Sequence, residues 1–188
     1  MPTKENVSAG KPKITGAIYR APIGTTLPTT ATETLNEAFK SMGYVSADGV
    51  VNSSKFSTGV IRAWGGDVVL VTQNEFNDTF KFTMIEALNK DVVSSVRGSA
   101  NVSGSLTDGI AVEVNADLQE EAAWVIDMIL RGRVAERMVI PDGMISDMDD
   151  ITYKDDSAIG YGVTLTGIPD SNGNTHYEYI KGPSSATT

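Results

Sequence analysis

Short apolar runs separated by glycine, aspartate and asparagine dominate the chain from Gly16 onward. In several runs apolar and polar residues alternate, which is the two-residue period of a half-buried β-strand. The clearest case is segment 76–86, with Phe76, Phe80, Phe82 and Met84 on one face and Asn77, Thr79, Lys81 and Thr83 on the other. We therefore predict a mainly β, mostly antiparallel fold, either a β-sandwich or a partly closed barrel.

The remaining apolar runs predict further strands. They lie at 16–23, 43–46, 55–61, 68–73, 110–114, 123–130, 133–140, 159–165 and 175–180. Turn residues separate them, including Gly65-Gly66 after Trp64 and the run Pro141-Asp142-Gly143. We expect Trp64 to anchor the core, and we expect the turn at 141–143 to end one strand of a β-meander.

Helical periodicity occurs in two places and predicts one or two short flanking α-helices. In 31–42 and in 88–97, apolar residues recur at i, i+3 or i+4 and i+7 or i+8, as on one face of a helix. The first set is Leu35, Ala38, Phe39 and Met42, and the second is Leu88, Val92, Val93 and Val96. Arg97-Gly98 adds a basic last turn and a C-terminal glycine to the second helix.

The connection 24–44 allows two interpretations. Its apolar stripe belongs to the domain core, or the segment projects and docks on a neighbouring copy, because connections of this length are usually functional. On the second interpretation, the oligomerisation residues are Gly24, Thr25, Leu27, Pro28, Leu35, Phe39 and Tyr44.

A length of 188 residues suits one domain. We predict an N-terminal arm at 1–15, a β domain at 16–181 and a C-terminal tail at 182–188, because both ends have little apolar content. The polar first residues and the short apolar stretches predict neither a signal peptide nor a membrane span.

Charge and composition exclude several classes of protein. Fifteen basic and 24 acidic residues give a net charge of −9, the wrong sign for gripping nucleic-acid phosphates. Cysteine is absent, which excludes disulfides, thiolate metal sites and a cysteine nucleophile.

Residues that carry chemistry are sparse. His176 is the only histidine and lies in the last predicted strand beside Tyr177, so we interpret it as an ordinary strand residue. No nucleophile elbow or phosphate-binding glycine motif is present, and we predict no catalytic residue and no cofactor. The aspartates between 142 and 156 offer oxygen ligands but lack the EF-hand order, which favours a solvated loop or an electronegative wall.

A set of short motifs occurs in a defined order along the chain. They are 16–22 (GAIYRAP), Phe39, 43–46 (GYVS), 48–49 (DG), 63–66 (AWGG), 139–141 (VIP), 153–156 (YKDD), Ile159, Tyr161, 163–165 (VTL), 169–170 (PD), Asn172 and Asn174. With these motifs, 16–181 resembles the major tail proteins of siphophages, particularly those infecting Gram-positive hosts.

The resemblance implies a structural virion protein made in the host bacterial cytoplasm. Copies would form hexameric rings that stack into a tail tube around a tape-measure protein, and phage DNA would later pass through without specific binding. Tail terminator and distal tail proteins are the other implied partners, and no membrane is involved.

The lumen of such a tube should be acidic, because six copies at −9 give roughly −54 per ring, which repels DNA. As lumen-facing residues we predict Asn77, Thr79, Lys81, Thr83 and Asp127. The two arms would add contacts between rings.

Three alternatives stay open at this stage. The first is the tube protein of a contractile tail or injection machine, which has the same assembly behaviour. The second is a carbohydrate-binding β-module, supported by Trp64, Trp124 and six tyrosines. The third is a hydrolase that uses a carboxylate pair from the loop 147–156.

Overall fold

The computed structural model describes residues 2–13 and 16–183. The predicted tail from 184 onward and residues 1, 14 and 15 of the predicted arm lie outside this part. The strands are β1 (Lys11–Pro12), β2 (Ile18–Pro22), β3 (Lys40–Ser41), β4 (Val45–Arg62), β5 (Val68–Met84), β6 (Val102–Ser105), β7 (Gly109–Val112), β8 (Ala122–Leu130), β9 (Val134–Met148), β10 (Tyr161–Gly167) and β11 (Tyr177–Lys181). One α-helix, α1 (Lys90–Arg97), and single 3-10 turns at Lys4–Asn6, Ser99–Asn101 and Arg131–Arg133 complete the described elements.

Strand β9 joins two layers of the main sheet. The strand order is β3-β2-β8-β9-β10-β5-β4, with β1 added to β8 and β11 added to β9, and every pairing is antiparallel. Residues 135–139 of β9 pair with β8 and β11, whereas 143–148 pair with β10. The first layer therefore contains β3, β2, β8 and β11, and the second contains β10, β5 and β4. The predicted mainly β, mostly antiparallel fold with a flanking helix is confirmed.

The main core lies between these layers. Ile18, Trp124 and Ile126 come from the first layer, and Phe80, Phe82, Met84 and Leu165 come from the second. The alternation in β5 thus predicts its core face correctly, except that Phe76 is exposed. Packing of these two inner faces is the usual source of a sandwich core.

Helix α1 closes one side of the core with Val92 and Val96, which confirms the second predicted helix. Its N-cap, Asn89, accepts a hydrogen bond from the Asp91 amide, and Gly98 ends it with a positive φ of 88°. Such a conformation favours glycine because no Cβ is present to clash. Neither α1 nor any other helix in the described ranges has the length and apolarity needed to cross a membrane.

The helix predicted at 31–42 does not form. The segment 24–39 instead packs as irregular chain on the outer face of the first layer, where Phe39 is buried and Leu27 and Leu35 are partly buried. Side chains bond its backbone locally, because Glu33 N donates to Thr30 Oγ1 over 3.1 Å and Thr29 N donates to Glu33 Oε2 over 2.7 Å. The Thr30–Glu33 bond also occurs at helix starts, but inside the predicted helix Ala38 N donates to Asn36 Oδ1 over 3.0 Å, and such a local bond competes with helical ones.

The turn predicted at 141–143 is also wrong, because β9 continues through it with a register shift against β8. Trp124 Nε1 donates a hydrogen bond to the Gly143 carbonyl over 3.2 Å. A Cβ at Gly143 would lie 3.1 Å from Ile140 Cγ2 and from Leu165 Cδ1. Glycine at this position therefore allows the strand to cross between the layers at close packing distance.

Candidate assembly interface

The hairpin of β4 and β5 extends beyond the sandwich. The two strands pair from Val45 opposite Met84 to Arg62 opposite Val68. Strand β10 pairs with β5 only from Thr79 to Met84, so beyond that point β4 is the one described strand that pairs with β5. Residues 55–77, the distal hairpin, therefore form a two-stranded ribbon about 30 Å long at roughly 3.3 Å per residue.

The distal hairpin carries large apolar side chains in contact with solvent. They are Phe56, Val60, Ile61, Trp64, Val68, Val69, Leu70, Val71 and Phe76. Trp64, predicted as a core anchor, lies at the tip with 106% of its reference area exposed, so that prediction is wrong. A third strand or a second layer would be needed to bury it, and the described chain supplies neither there.

Both faces of this ribbon are apolar. Successive strand residues point to opposite faces, so Val60 and Ile61 lie on different faces, as do Leu70 and Val71. An isolated two-stranded ribbon is only marginally stable in water, and unpaired edges readily accept another chain. Exposed apolar patches of this kind mark interaction surfaces.

The predicted oligomerisation segment does not project. Pro28 and Phe39 are buried, and Leu27 and Leu35 pack against the second core cluster, as the core interpretation of the segment requires. Thr25 Oγ1 donates to the Pro22 carbonyl over 2.7 Å within a local turn. Of this set only Gly24 and Tyr44 are exposed, and they lie on separate stretches of the chain. A role for these residues between copies stays a prediction.

A buried ion pair holds the segment 24–39 on the sheet. Arg137 Nε and Nη2 bind Asp127 Oδ1 and Oδ2 at 2.6 and 2.9 Å, and both residues are almost completely buried. Arg137 Nη1 also donates to the carbonyls of Thr30 and Glu33, at 3.2 and 2.8 Å. Lys13 of the arm reaches Asp127 Oδ2 at 3.4 Å. One guanidinium group thus connects β8, β9 and the covering segment.

The prediction that Asp127 faces a lumen is therefore wrong, since Asp127 is 3% exposed and paired inside the subunit. Asp127 and Arg137 are directly opposite residues of β8 and β9. Two opposite charges that each interrupt an apolar strand could have indicated a cross-strand pair.

The other predicted lumen residues share one surface. Thr79, Lys81 and Thr83 point away from the core of β5, beside Ser53 of β4 and Thr164 and Thr166 of β10. We call these six residues the polar face. Asn77 continues the same row into the distal hairpin. Lys81 Nζ lies 2.8 Å from Asp149 Oδ1, and this hydrogen bond and the Asp149 charge raise the pKa of Lys81.

The structure bears on two chemical alternatives. Trp124 is 1% exposed and hydrogen-bonded within the core, so it cannot stack on a sugar, whereas Trp64 at the hairpin tip is fully exposed. Among residues 2–13 and 16–183, no group of three His, Asp or Glu side chains is arranged to hold a metal ion. Within the acidic loop, Asp149 instead forms the ion pair with Lys81.

Glu136 tests how partial burial affects a carboxyl group that has no ion pair with any described residue. Burial raises its pKa, and the Glu178 charge on neighbouring β11 raises it further. When folding raises the pKa of a carboxyl group, protonation of that group stabilises the folded state. This stabilisation is complete below the unfolded pKa and is lost as pH rises through the folded pKa. We expect Glu136→Gln to stabilise the fold at pH 7 by a few tenths of a kcal/mol, since solvent screens a partly exposed group.

Urea unfolding at pH 7 and pH 4 measures this effect. The gain should shrink at pH 4, where the unfolded carboxyl group is itself largely protonated. Glu113→Gln, an exposed change near the end of β7, is the control. A Glu136→Gln gain that is equal at both pH values would contradict the electrostatic origin.

The chain matches a family model over most of its length. Residues 5–187 match the model of the family described as phage tail tube protein. The match includes most of the arm, both layers of the sandwich and the distal hairpin, and so does not rest on one motif. No curated protein shows significant similarity to the chain.

Proposed function

Because the chain belongs to the phage tail tube protein family, we propose that its copies form hexameric rings that stack into the tube of a phage tail. The family makes it a structural component of the virion tail and not a member of an enzyme family. The ring, the lumen and the individual partners belong to the proposal.

The exposed apolar side chains of the distal hairpin are the main support for this proposal. Burying one Val, Leu, Ile or Phe side chain contributes roughly 1.5–3 kcal/mol, and the hairpin exposes several of them. Burial of part of this surface offsets the ~4–15 kcal/mol that association costs in lost freedom. The hairpin leaves one side of the subunit, and in the proposed ring it contacts a different surface on its neighbour. Such head-to-tail contacts generate rings or filaments.

The polar face is the proposed wall of the lumen. Hydroxyl groups dominate it, and its one cation, Lys81, is paired with Asp149. Within these six residues the one cation already has a carboxylate partner, which weakens attachment of DNA phosphates, and the net charge of roughly −54 for six copies at −9 repels DNA. DNA would therefore slide through this conduit during ejection.

The remaining parts of the proposal rest on the motif resemblance. The tube would enclose a tape-measure protein, meet a tail terminator at one end and distal tail proteins at the other, and belong to a siphophage of a Gram-positive host. Its subunits would be made in the host cytoplasm.

Electron microscopy of the purified chain at rising concentration tests the proposal. We expect hollow, striated tubes with sixfold symmetry in end-on views, formed above a critical concentration. Ring symmetry other than sixfold would overturn the hexamer. A chain that stays monomeric in sedimentation at every concentration, and after addition of preformed tail tips, would overturn assembly through the hairpin.

A further inference from the structure

A buried carboxylate lies where the distal hairpin leaves the sandwich. Asp78 of β5 is 1% exposed and lies on the same face as Phe80, Phe82 and Met84, at the end of that row nearer the hairpin. Its carboxylate accepts hydrogen bonds from Asn52 Nδ2 (2.9 Å), Ser54 Oγ (2.8 Å) and Thr175 Oγ1 (2.7 Å), and His176 Nδ1 lies 2.5 Å from Oδ2.

These partners come from two parts of the chain, both distant in sequence from Asp78. Asn52 and Ser54 belong to β4, and Thr175 and His176 belong to the segment before β11. Since β11 pairs with β9 in the first layer and the hairpin extends from the second, the cluster ties the base of the hairpin to the opposite layer. The His176 ring also packs edge-on against Phe80, with ring centroids 5.2 Å apart.

The carboxylate is held in its charged form. Burial would raise the pKa of Asp78, but hydrogen bonds from Thr175, Asn52, Ser54 and His176 outweigh burial and lower it below its ordinary value. Hydrogen bonds to an ionised acceptor are stronger and more directional than apolar contacts. An apolar residue at position 78 would extend the core row but would fix no angle between the strands and β11.

We propose that Asp78 and its four partners form a polar joint that sets the direction in which the distal hairpin leaves the sandwich. A two-stranded ribbon has little stiffness against its own base, so its direction must be set there. The joint rests on the proposed function in one respect, because its role is to present the hairpin to the next copy. Asp78 acts as a positioning residue and need not touch that copy.

Pulsed electron paramagnetic resonance on the monomer tests the joint directly. The chain has no cysteine, so Asp67→Cys near the hairpin tip and Ser103→Cys on β6 place two nitroxides uniquely. We expect a narrow distance distribution in the parent, and at least a doubling of its width in Thr175→Val and Asp78→Asn. Thr83→Val, on the polar face of β5, is the matched control and should keep the parent width.

Each outcome decides the proposal. Broadening in Thr175→Val with an unchanged melting temperature supports the joint, and this variant carries the test if Asp78→Asn fails to fold. Widths equal to that of Thr83→Val in the folded joint variants would overturn it. The measurement uses dilute monomer, so it stands even if the unlabelled chain forms no tubes. Tubes formed by a chain whose joint variants show no broadening would reject the joint and leave the tube intact.

Discussion

Deleting the distal hairpin is expected to abolish tube formation while leaving the sandwich folded. Phe56 and Phe76 are directly opposite partners, so Asn-Gly in place of 57–75 closes the shortened hairpin with a two-residue turn. Apart from the half-buried Thr72, the deleted side chains are exposed in the free subunit. We expect a melting temperature within a few degrees of the parent, and no polymer at ~100-fold the parent's critical concentration, because the main association surface is gone.

A single charge on the hairpin gives a milder test with a closely matched control. Val71→Lys places an ammonium group on an apolar face of the ribbon, whereas Gln73→Lys adds the same charge two residues away at a polar position. Val71→Lys should raise the critical concentration at least about tenfold, or about 1.4 kcal/mol, and Gln73→Lys should change it little. Sedimentation of polymer against concentration measures both. If Val71→Lys and the hairpin deletion both assemble normally, the hairpin is not part of the interface.

Loss of the buried Arg137 should have the largest effect on stability. We expect Arg137→Met to lower the free energy of unfolding by about 3–5 kcal/mol, because Asp127 is left buried and charged. The carbonyls of Thr30 and Glu33 lose their donor as well, and Lys13 at 3.4 Å is the ion-pair partner that remains for Asp127. Urea denaturation followed by circular dichroism measures the loss.

A double-mutant cycle separates the ion pair from simple loss of packing. Asp127→Leu combined with Arg137→Met removes both charges, and we expect a smaller loss than in Arg137→Met alone. Arg131→Met, at an exposed position in the turn before β9, should change stability by less than about 0.5 kcal/mol. A double variant as unstable as the sum of its single variants would show that the two side chains are not coupled.

Local patterns in the sequence determine much of the sandwich. The alternation that places Phe80, Phe82 and Met84 on one face of β5 predicts both the strand and its buried side. Apolar spacing, a basic last turn and Gly98 together predict α1. These features depend on residues close in sequence, where backbone geometry sets the period of two or 3.6 directly.

Local periodicity fails where distant residues decide the outcome. The stripe at 35–42 has helical spacing, yet no helix forms there. Just before it, side chains bond the amides of Thr29 and Glu33, and Arg137 binds the carbonyls of Thr30 and Glu33. Asp127 alternates with apolar residues, a pattern that predicts an outward-facing side chain, but Arg137 on the adjacent strand forms an ion pair with it inside the fold.

By itself, the sequence determined a mainly β chain with strand faces, one correct helix and motifs that resemble tail tube proteins. Only the tertiary structure decided which apolar faces are covered. Periodicity shows that a strand has an apolar face, but burial depends on whether another strand or layer lies against it. Beyond Asp78 the described chain places no such layer over the hairpin, and Trp64 and its apolar neighbours remain exposed.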